Sequence, residues 1–107
     1  MSDICVVLCT CPDKDSARLI AGEAVKQGHA ACVNIIPGLE SLYFWDGEVQ
    51  NDSEVQMVLK TSRTSLDELF KLVISLHPYD EPEWLILDAA GGSDSYLEWI
   101  KRCTQKF

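Results

Sequence analysis

The sequence is poor in positive charge. Nine Lys and Arg stand against seventeen Asp and Glu, a formal net charge of −8 at pH 7. Nucleic-acid binding needs a basic footprint, so no nucleic-acid partner is expected, and anionic membrane surfaces are disfavoured by the same repulsion. Long apolar runs are missing too. The stretch from Ile4 to Cys9 is too short to cross a bilayer and reads as a buried strand. Met1-Ser2-Asp3 ahead of it lacks the basic start of an export signal, so the expectation is a cytoplasmic protein without membrane association. Catalytic motifs are absent as well: there is no Gly-x-Ser-x-Gly elbow, no phosphate-binding glycine loop and no His-Glu-x-x-His. A Cys9 nucleophile with a His77 base would lack a third, orienting group, so the chain is expected not to be an enzyme. An even set of cysteines is also lacking. The five present, Cys5, Cys9, Cys11, Cys32 and Cys103, argue against a disulfide framework and for a reducing compartment.

What remains is the balance of an ordinary globular domain, with 47% hydrophobic and 24% charged residues in 107 positions. A single domain over residues 1–107 is expected, without linker or repeat. The negative field favours cations as small partners, although diffuse charge serves mainly solubility.

The pattern predicts a strand over Ile4 to Cys11, broken at Pro12-Asp13. Asp13 caps a helix to about Gln27, in which Ala17, Ile20, Ala21, Ala24 and Val25 share one face, and Gly28 stops it. A second strand runs from Ala30 to Ile36, is interrupted at Pro37-Gly38, and resumes from Leu39 to Trp45. Asp46-Gly47 predicts a type I′ hairpin turn. Glu48 to Thr61 returns, exposed or irregular over Gln50 to Glu54. Thr64 is the expected cap of a second helix with an apolar stripe of Leu66, Leu69, Phe70, Val73 and Ile74, ended by His77-Pro78. Trp84 to Ala89 is a last strand. Ser93 or Asp94 opens a final helix to about Cys103. The order β-α-β-β-α-β-α gives an α+β class: a ferredoxin-like split βαβ sandwich with an added C-terminal helix.

Cys9-x-Cys11 puts two thiols on one side of a strand, because side chains alternate with period 2. Thiolate and imidazole suit copper and zinc. Two cysteines fall short of a closed four-ligand site, and a packed sheet face of Cys5, Val7, Cys9 and Cys11 explains them equally. His77 at a helix end can likewise serve as a cap.

Several segments, in order, resemble the CutA divalent-cation-tolerance family. They are Val6-Val7-Leu8-Cys9-Thr10 with Pro12-Asp13; Ala30-Ala31-Cys32-Val33-Asn34; Ser41 through Gly47; Glu54-Val55-Gln56-Met57 with Leu59-Lys60-Thr61; His77-Pro78-Tyr79 with Pro82-Glu83; and Tyr96-Leu97-Glu98-Trp99. The resemblance implies a ferredoxin-like subunit in a homotrimer, a response to divalent metal ions, and copper bound by Cys9 and His77. Leu76 stands where some members carry another histidine, and Cys11, on Cys9's strand face, is a candidate to compensate. The architecture is also similar to trimeric PII signal proteins, which implies the alternative of a sensor or scaffold holding a small ligand or protein between subunits. The trimer has independent support in the hairpin, whose edges need pairing or cover, and in Tyr43, Phe44, Trp45 and Trp84, which offer apolar interface area.

Overall fold

The computed structural model describes residues 3–105. The first strand, β1 (Ile4–Cys11), leads into α1 (Lys14–Lys26), whose first turn is closed by the Asp13 carboxylate accepting from the Ser16 amide at 2.8 Å. Then come β2 (Cys32–Trp45), β3 (Glu48–Ser62), a short 3-10 turn (Arg63–Ser65), α2 (Leu66–Leu76), β4 (Leu85–Asp88) and α3 (Asp94–Cys103). All neighbouring strands are antiparallel in the order β2-β3-β1-β4, so β3 lies between β1 and β2, the split βαβ arrangement.

One face of the sheet carries Val7, Cys9, Cys11, Val55, Met57 and Leu59, all buried against Ala17, Ile20 and Ala24 of α1 and Leu69 and Val73 of α2. The other face carries Val6, Leu8, Thr10, Gln56, Val58 and Lys60, which are only half buried. A smaller core joins Ile4, Ala31 and Ile100, with Leu97 and Cys103 of α3 packed on it.

The β2–β3 ribbon turns at Asp46 and Gly47, whose φ angles of 52° and 80° are those a type I′ turn requires. The pairing slips between Ile36 and Leu39, where Pro37 and Gly38 together oppose one β3 residue, and Gly38 takes the needed φ of 81°. Beyond this bulge Tyr43 pairs with Gln50 and Phe44 with Val49. Gln50 to Glu54, expected to be exposed or irregular, are largely exposed and regularly paired.

Three expectations need correction. Thr64 does not cap α2. It lies inside the 3-10 turn, with its hydroxyl 3.3 Å from that of Ser62, and the position before α2 is Ser65, which makes no side-chain cap. The α2 stripe is narrower than its periodicity suggests. Leu69 and Val73 are buried, but Phe70 and Ile74 are exposed, because half-buried Leu72 and Leu76 take the inner flank. Trp84 precedes β4 and does not offer a free apolar surface, since it packs on the main core with its ring 5.1 Å from that of Phe70.

Candidate metal centre

Cys9 and Cys11 end up on the helix-covered face of β1 because strand alternation puts both toward α1 and α2. His77 is delivered to the same end by the stop of α2. It is the helix C-cap, its amide donating to the Val73 carbonyl at 2.8 Å, and Pro78 prevents another turn. The imidazole is buried at 9% exposure, against the last residues of β1.

The ring is held at both nitrogens. Nδ1 accepts from the Tyr79 amide at 3.1 Å, so the neutral ring carries its proton on Nε2. Nε2 donates to the Thr10 carbonyl at 2.8 Å. The same nitrogen lies 3.7 Å from Cys11 Sγ, and this contact is buried. Cys9 points into the same core, with Sγ 3.9 Å from the Thr10 carbonyl. The structure thus joins His77 to Cys11 directly and leaves Cys9 as the next thiol along the strand face.

Both thiols are held in the neutral form. Burial first, then the neighbouring Cys11 and the carboxylates of Glu83 and Glu54, push Cys9 up to about 12. Burial, then Asp13 and Glu54, push Cys11 up to about 11. These soft donors suit a late transition metal better than a hard oxygen-seeking ion. Among the described residues no set of three His, Cys, Asp or Glu side chains is preassembled for a metal. If Nε2 of His77 were to hold a metal, it would give up its contact with Thr10, and with the ring proton on Nδ1 the Tyr79 contact would be lost as well. Each backbone group left without its partner would cost about 1–3 kcal/mol, and the buried thiols would have to lose their protons, costs that the metal–ligand bonds would have to exceed. By donor chemistry, Cys9, Cys11 and His77 are the residues that would hold a soft metal ion.

Beside this pair opens a cavity of about 400 Å³ lined by Thr10, Tyr43, Trp45, Asp52, Glu54, Tyr79, Glu81 and Glu83. Tyr79 connects the two places: its amide holds His77, and its hydroxyl donates to Glu54 at 2.9 Å. Burial, then the hydrogen bond to Glu54, keeps the Tyr79 phenol protonated far above its usual range. Tyr43 donates in the same way to Asp52. Sequence reasoning had no signal for this cavity, because its walls come from four separated segments. His29, the other histidine, lies toward the opposite end of β1 from Cys9 and Cys11: its carbonyl accepts at 2.7 Å from the hydroxyl of Thr61, the residue paired with Cys5.

Comparison with known proteins covers nearly the whole chain. The sequence pattern of the CutA1 divalent ion tolerance protein family matches residues 5–103. The chloroplastic CutA protein of Arabidopsis thaliana is 45% identical over 100 residues, which is 94% of this chain and 55% of that protein; the chain thus spans about half the length of this plant relative. The divalent-cation tolerance protein CutA of Pectobacterium atrosepticum is 40% identical over 100 residues, 94% of this chain and 91% of that one. The crystal structure of CutA from Xylella fastidiosa superposes with a TM-score of 0.95 at 34% identity, covering 97% of this chain and all of that one. Pattern, identity and backbone agree from the first strand to the last helix, and the chain belongs to the CutA1 divalent ion tolerance protein family.

Proposed function

We propose that this chain serves divalent-cation tolerance by binding copper or another divalent metal, with Cys9 and His77 as ligands, in a homotrimer of the cytoplasm. The observation that carries the reading is the burial of His77 beside the β1 thiols, with Nε2 at 3.7 Å from Cys11 Sγ. The ion is cargo or signal and not a folding cofactor, because the core around the thiols is closed by apolar packing. Neither the family description nor the names of the relatives is that of an enzyme, which supports a role in binding. The five unpaired cysteines support a reducing compartment.

The trimer reading is supported by what the single subunit leaves uncovered. Phe44 and Trp45 are 71% and 69% exposed, and Leu42 and Val49 stand beside them. Leu85 and Leu87 of β4 are exposed as well, and both outer strands, β2 and β4, have a free edge. Apolar area of this kind on unpaired strands is what strand addition between subunits covers.

The second reading, a PII-like sensor or scaffold holding a small ligand or protein in clefts between subunits, is favoured by the aromatic and acidic cavity under the hairpin. Copper titration with calorimetric readout separates the two. Stoichiometric binding that disappears in the Cys9→Ala, His77→Ala double variant is expected. Unchanged binding in that variant moves the metal elsewhere and leaves the sensor reading.

A further inference from the structure

We propose that Cys11 is itself a copper ligand, and that Cys11 with His77 forms the donor pair a copper(I) ion meets first. This rests on the reading of the β1–His77 region as the metal site and assigns its chemistry more narrowly.

His77 hangs from the end of α2 and reaches only the last residues of β1. Its Nε2 meets the Thr10 carbonyl at 2.8 Å and Cys11 Sγ at 3.7 Å. Sulfur and nitrogen are thus already neighbours, buried together, across 66 positions of sequence. Cys9 projects to the same side two residues back, roughly 7 Å along the strand. Its Sγ lies by the Thr10 carbonyl at 3.9 Å and does not make the first contact with the imidazole. A pair of soft donors suits copper(I), which is satisfied by as few as two ligands. Zinc(II) seeks a closed tetrahedron that this region does not supply.

The step balances without a redox partner. The Cys11 thiol releases its proton to solvent as the sulfur–copper bond forms. The ring keeps one proton, which moves from Nε2 to Nδ1 as Nε2 takes the metal, and the copper stays monovalent throughout.

The test is competition for copper(I) against a chelator of known affinity under reducing, oxygen-free conditions, using the whole chain. Cys11→Ser is expected to weaken binding by about tenfold or more, since even outer partners of a metal site are worth that much. Cys9→Ser is expected to weaken it less. In protein labelled with carbon-13 cysteine, the Cys11 Cβ resonance is expected to move on addition of equimolar copper(I); this needs no substitution and stands if Cys11→Ser fails to fold. If Cys11→Ser binds as the unaltered chain does while Cys9→Ser is impaired, and the Cys11 resonance stays put, the inference falls and the Cys9–His77 site survives. If the unaltered chain takes up no stoichiometric copper(I), both fall.

Discussion

The imidazole of His77 gives its Nε2 proton to the carbonyl of Thr10 across 2.8 Å, tying the end of α2 to the end of β1. Together with the Tyr79 amide on Nδ1, this makes the ring a buried cross-link between the end of β1 and the turn that follows α2.

Removing that cross-link has a cost even without metal. His77→Ala leaves the Thr10 carbonyl and the Tyr79 amide without their partner, and a buried group left unsatisfied costs about 1–3 kcal/mol. A loss of about 2–4 kcal/mol in urea unfolding is expected. A loss below about 0.5 kcal/mol, the level of an ordinary surface change, refutes the structural role of the ring.

The thiols set an alkaline limit to stability. Cys9 and Cys11 ionise in the fold only at about 12 and about 11. In the unfolded chain both ionise near the ordinary cysteine value, about 8.5. Above that value the unfolded state has lost protons that the folded state keeps, so unfolding becomes easier as pH rises. Their contribution is complete below about pH 8.5 and is lost progressively toward pH 11–12, by about 1.4 kcal/mol per pH unit for each thiol while the difference lasts. Chemical denaturation between pH 7 and pH 10, repeated on Cys9→Ala and Cys11→Ala, measures this. An identical alkaline slope in those variants removes the thiols as its cause.

Thiol reactivity follows the same burial. Cys32 and Cys103 are half buried, whereas Cys5, Cys9 and Cys11 are fully enclosed. Maleimide at neutral pH is expected to label Cys32 and Cys103 first, and all five only after denaturation. Early labelling of Cys11 in the native protein contradicts the packing around β1.

The hairpin should decide the assembly. Sedimentation equilibrium at micromolar concentration is expected to give about three times the chain mass of 12.0 kDa. Phe44→Asp, which puts a charge on a side chain 71% exposed in the single subunit, is expected to shift the population to monomer without unfolding it. A monomeric unaltered chain ends the trimer reading.

A small buried polar cluster makes a further demand. The Thr104 hydroxyl meets that of Ser62 at 2.8 Å and the Ile100 carbonyl at 2.9 Å, while Ser65 Oγ donates to the Thr104 carbonyl at 3.1 Å. This fastens the end of α3 to the start of α2. Thr104→Val is expected to cost about 1–2 kcal/mol and to raise amide exchange in α3 more than in α2. Equal exchange in both helices refutes the fastening.

Local chemistry made much of the fold legible from sequence. The bounds of β1, the Asp13 cap and the Asp46-Gly47 turn each depend on neighbours within a few positions. What was not legible depends on distant partners. The hydroxyls of Ser62, Ser65 and Thr104 are scattered in sequence and meet only in the fold, and they draw the chain before α2 into a tight turn, which displaced the expected Thr64 cap. Cys9 and His77 were readable as candidates from residue type and resemblance. That the imidazole touches Cys11 depends on where α2 stops relative to the end of β1, a length relation no local pattern encodes.

The extra residue at Pro37-Gly38 offsets β2 against β3. Side chains alternate with a strict period of two, so one added residue shifts β2 by one position while β3 runs on unchanged. Beyond it Tyr43 and Trp45 face Thr10 and the acidic cavity, and Leu42 and Phe44 lie on the opposite side with Val49. Deleting Gly38 would leave Pro37 alone opposite Val55, with Tyr43 still opposite Gln50 and Phe44 opposite Val49, so the ribbon would lose its kink and local twist while its faces kept their side chains. The extra residue thus aims the hairpin arm, while the turn at Asp46-Gly47 fixes which side chains line the cleft and which lie behind it.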